Sequence, residues 1–213
     1  MELFLFLNDY FTHMGAAIDG EGGFIDKYIG DAIMALFDDA HTDASVRAAL
    51  GMRKALIGFN KVRSRQGLAP VDMGVGVHVG EVVLGTVGHE SRIDSTAIGD
   101  AVNLASRVEG LTKTYDCGVL VTQAVVEGLL EPQLFDLRLV ARGVKVKGKE
   151  DGVDLYEVMG LRADAPGQAD LTAAAFKPGQ VRPLPGAAWT TMPPDGSRRC
   201  RRPWPGSRVP TAA

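Results

Sequence analysis

The sequence predicts an α+β chain, with mixed helices and strands around one largely antiparallel sheet, and three observations predict it. Stretches with helical apolar spacing are interleaved with short β-branched runs. Glycine-bearing turns separate many of those runs. The order of elements keeps neither a strict strand-helix-strand alternation nor a segregation of strands from helices, so a purely parallel sheet is not expected.

Taken in order, Leu3, Leu7, Tyr10, Phe11, Met14 and Ile18 recur every three or four residues, which predicts an amphipathic helix stopping at residues 20–23. Residues 24–28 and 32–37 are apolar runs on either side of Gly30 and Asp31, a hairpin whose tip displays a carboxylate. Asp43 is expected to cap a long helix carrying Val46, Leu50, Leu56 and Phe59 and ending near Gly67. Residues 71–79 and 82–87 read as strands joined in a hairpin at Gly80 and Glu81, with a further short strand at 95–98. Asp100 reads as the cap of a helix over 101–115 with Val102, Ala105, Val108 and Leu111 on its apolar stripe. A strand at 118–121, a helix at 124–130, and strands at 135–147 and 153–158 around a turn complete the pattern. From about residue 161 the texture changes to Ala, Pro, Gly and Arg without periodicity, which reads as a disordered tail over 161–213.

Composition narrows the function classes. With 213 residues, 46% of them hydrophobic, the chain can bury a sizeable core. A formal net charge of -3 leaves no basic footprint for nucleic acid. Two cysteines, Cys117 and Cys200, make neither a disulfide framework nor a zinc site and point to a reducing, cytoplasmic compartment. The opening apolar run is short and begins with Glu2 where a secretory leader carries basic residues.

Several residues are suited to phosphate chemistry. Asp31 at a hairpin tip is a hard oxygen ligand of the kind divalent cations take. Asn103 and Arg107 are four apart on one predicted helix, so both side chains can meet one ligand. Strand alternation would place Lys27, Ile29 and Asp31 on one side. His78 and His89 have no evident nucleophile to serve, and no glycine cluster sits in a strand-to-helix phosphate loop, so both groups read as structural.

Three segments, DKYIGDAIMALF at 26–37, IGDAVNLASR at 98–107 and VKGK at 146–149, together resemble the class III adenylate and guanylate cyclase catalytic domain. The resemblance runs over residues 1–160 and implies a ferredoxin-like antiparallel sheet with flanking helices. It implies an ATP cyclase using two divalent cations, Mg2+ or Mn2+, with Asp31 as a metal ligand. By the same resemblance Asn103 orients the ribose, Arg107 stabilises charge on the α-phosphate, and Lys147 contacts the terminal phosphates. Lys27 matches a lysine that binds adenine. Its partner falls at Thr96, where many adenylate cyclases have aspartate and a bacterial subgroup has threonine, and the cysteine usual in guanylate cyclases is absent.

The family's other metal aspartate lies on a first strand, expected upstream of Met1, so the resemblance implies a domain lacking its first strand and helix. It implies ATP as substrate, a head-to-tail homodimer with sites between subunits, and a sensor domain in a longer native chain, membrane-anchored if that sensor carries transmembrane helices. Two rival functions stay open at this stage: a half-site regulatory partner of an intact cyclase, and a guanylate cyclase.

Overall fold

The computed structural model describes residues 2–38, 42–89, 92–145 and 152–162. Lys147 and residues 163–213 of the predicted tail lie outside them, whereas Leu161, expected to open the tail, belongs to the last strand. Helix α1 (Glu2–Asp19) leads into the hairpin β1 (Phe24–Ile29) and β2 (Ala32–Leu36), then helix α2 (Thr42–Arg65). Strands β3 (Val75–Val77), β4 (Val83–His89) and β5 (Arg92–Ile98) precede helix α3 (Asp100–Tyr115). Strand β6 (Val119–Thr122), helix α4 (Gln123–Gly128), a short 3-10 turn, and strands β7 (Phe135–Val144) and β8 (Val153–Leu161) follow.

The mixed class is as expected, but the strands form a four-stranded sheet of order β3-β6-β8-β7 and two separate hairpins, β1-β2 and β4-β5, instead of one sheet. Alternation along β6 shows how the layers are built: Val119 and Val121 join the core under α2 and α4, whereas Leu120 joins Leu104 and Val108 of α3 on the opposite face. Helix α1 packs on α2, and Tyr10, Met14, Ile18, Leu56, Phe59 and Met73 form a third core against which Ile25, Ile33 and Ala35 of the first hairpin rest. Among the described residues no helix is long and apolar enough to cross a membrane.

Four local expectations are corrected. The predicted hairpin at Gly80 and Glu81 does not form. Strand β3 pairs in parallel with β6, with α3 in the crossover, and β4 pairs with β5 over Val83–His89 and Arg92–Ile98. Asp43 does not serve as the cap of its own helix. It sits in the first turn of α2 and accepts the backbone N–H groups of Leu130 (2.7 Å) and Glu131 (3.1 Å), tying α2 to the end of α4. Gly99, not Asp100, occupies the cap position of α3. The buried stripe of α3 is Leu104, Val108 and Thr112, because the helix turns that line onto the sheet.

Glycine sets how closely α3 approaches. A Cβ on Gly76 would lie 2.2 Å from the backbone N of Glu109 and 2.6 Å from the carbonyl of Ala105. Gly74 likewise has no room for a side chain beside Thr112. The helix that carries Asn103 and Arg107 is therefore seated directly on the β3 backbone.

Candidate active site

Lys27 and Thr96 come from β1 and β5, and the fold brings them into direct contact: the Lys27 ammonium donates to the Thr96 hydroxyl. A third residue, which sequence reasoning passed over, completes this group. Strand β1 is irregular between Ile25 and Lys27, so Asp26 is an extra residue in the ladder opposite β2. Its side chain is only 4% exposed, and its Oδ2 lies 3.2 Å from Lys27 Nζ and accepts from Thr96 Oγ1 at 3.3 Å. Regular alternation would put neighbours 26 and 27 on opposite faces, so the only signal in the sequence was their adjacency.

Asp31 lies in the turn after β1 and not on the strand itself, so the expectation that alternation aligns it with Lys27 and Ile29 is corrected. Gly30 takes φ +67° to make that turn. Burial raises the Asp31 carboxyl above its ordinary range, opposed by its own backbone hydrogen bond and by the charge of Lys113. The same neighbourhood holds Glu109, whose pKa burial pushes up to about 7, with Lys113 opposing and Asp31 reinforcing the shift. Burial also raises the Tyr10 phenol, with Asp31 and Glu109 adding to the shift. The hairpin tip is thus coupled to the second half of α3.

The sign of the Glu109 shift makes a prediction. Its carboxyl binds a proton more tightly folded than unfolded, so its contribution is intact below the ordinary glutamate pKa and is lost as pH rises toward and through 7. Glu109→Gln, which mimics the neutral form, is expected to flatten the fall in melting temperature between pH 5 and 7.5. Thermal unfolding at those two pH values checks it, and an equal fall in both chains contradicts it.

Asn103 and Arg107 occupy α3 one turn apart. Asn103 is exposed and Arg107 is half-buried. The Arg107 Nη1 is enclosed and has no hydrogen-bond partner among the described residues. A buried donor in this condition is uncommon unless a ligand satisfies it. His78 Nδ1 lies 2.9 Å from Thr122 Oγ1.

The predicted residues therefore fall into three places: the Lys27 and Thr96 pair, the Asp31 tip, and the Asn103 and Arg107 helix face. A depression lined by Arg53, Asp72, Thr112, Lys113 and Cys117, and another lined by Leu50, Gly118, Glu157 and Met159, contain none of them. Among the described residues no group of three or more His, Cys, Asp or Glu gathers to hold a metal. Asp31 fits a divalent cation as a single carboxylate ligand, the type of share such ions take alongside phosphate oxygens.

Known proteins resemble this chain in sequence and in fold. Residues 1–160 match the adenylate and guanylate cyclase catalytic domain. The chain is 59% identical over 162 residues to an adenylate cyclase of Anabaena cylindrica, covering 74% of this chain and 32% of that protein. It is 42% identical over 165 residues to the terminal-differentiation specific adenylate cyclase of Dictyostelium discoideum, covering 75% of this chain and 8% of that one. The chain thus spans about a third or less of these curated relatives. Among solved structures it resembles the adenylyl cyclase CyaB of P. aeruginosa, at 27% identity and TM-score 0.66, covering 76% of this chain and 85% of that one. It also resembles the guanylyl cyclase Cya2, at 30% identity and TM-score 0.63, covering 74% and 80%. On these grounds the chain belongs to the adenylate and guanylate cyclase catalytic domain family.

Proposed function

We propose that this chain is the catalytic domain of an adenylate cyclase, converting ATP to 3',5'-cyclic AMP and pyrophosphate in intracellular signalling. The observation that carries the reading is the contact between Lys27 and Thr96, which sets a donor and a hydroxyl side by side from two strands, the residues being 69 positions apart. In this reading the pair holds the adenine edge, Asn103 orients the ribose, and Lys147 holds the terminal phosphates. Arg107 faces the α-phosphate, and its unpartnered Nη1 supports that assignment, since a planar guanidinium suits spread anionic charge. The 3'-hydroxyl oxygen bonds to the α-phosphorus as its proton is released and the bond to the leaving pyrophosphate breaks, so the protein's work is positioning and charge neutralisation. Asp31 would hold one of the divalent ions, Mg2+ or Mn2+, which supply Lewis-acid stabilisation to the phosphates when bound.

The active form in this reading is a head-to-tail homodimer. Two features support it. Lys27, Asp31, Thr96, Asn103 and Arg107 line neither of the two depressions described above. The β4-β5 arm carries apolar side chains facing solvent, Leu84 at 67% and Ile93 at 66% exposure. A second reading, a half-site partner that works only beside an intact cyclase, is favoured by Asp31 standing, among the described residues, outside any group of three or more His, Cys, Asp or Glu.

One assay separates the two. Cyclic AMP and cyclic GMP are measured with Mn2+ and ATP or GTP, for the chain alone and mixed with a cyclase domain that keeps its metal aspartates but has alanine at the positions of Asn103 and Arg107. Cyclic AMP from the chain alone is the expected result for the homodimer. Product only in the mixture identifies a half-site partner, cyclic GMP as the main product identifies a guanylate cyclase, and silence in both rejects the cyclase reading.

A further inference from the structure

We propose that Asp26 fixes the direction of the Thr96 hydroxyl proton and thereby makes the Lys27 and Thr96 pair selective for a 6-aminopurine nucleotide over a 6-oxopurine one. The inference rests on the reading of that pair as the base-binding element.

Donors and acceptors set the polarity of the pair. A threonine hydroxyl has one proton to give and two lone pairs, a lysine ammonium has three protons and no lone pair, and a carboxylate has only acceptors. Lys27 must therefore donate to Thr96, which occupies one lone pair of the hydroxyl oxygen. The hydroxyl proton then has two acceptors within reach, Asp26 Oδ2 and the Ala97 carbonyl, each at 3.3 Å. Both belong to the protein, so the proton points inward. What Thr96 has left for a ligand is a lone pair.

Lys27 is committed in the same way. One of its protons goes to Thr96 and another faces Asp26 Oδ2 at 3.2 Å, which leaves a third for a ligand. The pair therefore presents an acceptor beside a donor. Adenine offers the complement, an exocyclic amine beside the bare ring nitrogen N1. Guanine offers the reverse, a carbonyl oxygen beside a protonated N1, and sets its carbonyl lone pairs against that of Thr96.

Asp26 is the member that locks this polarity. Burial of its side chain makes an unpaired carboxylate costly, so its two partners are held and not optional. The bulge in β1 is what aims it at the same pair that Lys27 serves. In Asp26→Asn the side chain can donate to Thr96, which frees the hydroxyl to turn its proton outward and accept a carbonyl partner. Asp26 is thus a positioning residue that acts through Thr96.

The test is competition of ATP and GTP against a fluorescent methylanthraniloyl-ATP on the wild-type chain and on Asp26→Asn, with melting temperature recorded for both. The expected result is a wild type that prefers ATP and a variant whose preference shrinks by at least about tenfold, the size of one misdirected hydrogen bond. A parallel loss of affinity for both nucleotides, with the ratio unchanged, overturns the inference, because it is what an anchor for Lys27 alone produces. A wild type that binds neither nucleotide overturns the base-binding reading as well, so the two failures are distinguishable. Ligand editing needs no folded variant: on the wild type, affinity should fall from ATP to purine riboside triphosphate to inosine triphosphate. Inosine triphosphate binding as tightly as ATP overturns the inwardly directed proton.

Discussion

Replacing Arg107 by alanine is expected to lower the rate of cyclic AMP formation about a hundredfold to a thousandfold, the usual cost of removing one donor aimed at developing charge. The guanidinium is already placed: α3 holds it with Nη1 enclosed and without a partner among the described residues, so that nitrogen gives up no described partner when an anion arrives. Because the charge on the transferring phosphorus grows along the reaction, the loss should fall mainly on kcat and little on KM. Arg107→Lys keeps the charge and loses the planar fork, so partial recovery is expected. Steady-state kinetics in the assay that yields product decide it, with the melting temperature as control. A variant within a few-fold of wild type removes Arg107 from the reaction.

Gly76→Val should damage stability and activity together. A Cβ at this position falls 2.7 Å from the Glu109 Cα and still nearer its backbone N, and helix backbone cannot rotate away as a side chain can. Either β3 or α3 has to shift, at a cost of about 3 kcal/mol, in the upper range for overpacked interiors. For a domain of this size that lowers the melting temperature by roughly 10 °C. Arg107 lies two residues before Glu109 on the same helix, so the shift also displaces the guanidinium and should reduce turnover in the fraction that remains folded. Calorimetry and an assay at a temperature where both chains are folded check the two effects. A variant with unchanged melting temperature shows that the space between β3 and α3 yields easily.

The pairing of the strands was only partly legible. The spans of β1, β2, β7 and β8 follow from apolar runs broken at turn residues, and their neighbours in sequence are their partners in space. Strand β3 broke that rule. A hairpin turn was expected after it at Gly80 and Glu81, but Gly74 and Gly76 serve the close approach of α3, and the partner strand β6 lies beyond that helix. Asp43 was misread for a related reason: a carboxylate near a helix start can bond any nearby backbone N–H, and here those of Leu130 and Glu131 reach it.

By itself the sequence determined the chemistry available: which residues can donate, accept or carry charge, and, through local spacing, which helices and hairpins carry them. Asn103 and Arg107 share a helix face because 3.6 residues make a turn, and no tertiary contact is needed for that. Only the tertiary structure decided how those groups meet. It joined Lys27 to Thr96, inserted Asp26 between them through an irregular strand, and surrounded Glu109 with enough protein to move its pKa to about 7. The physical reason is that desolvation and hydrogen-bond direction depend on neighbours tens of residues away, whereas helical and strand periodicity depend on neighbours within one or two turns.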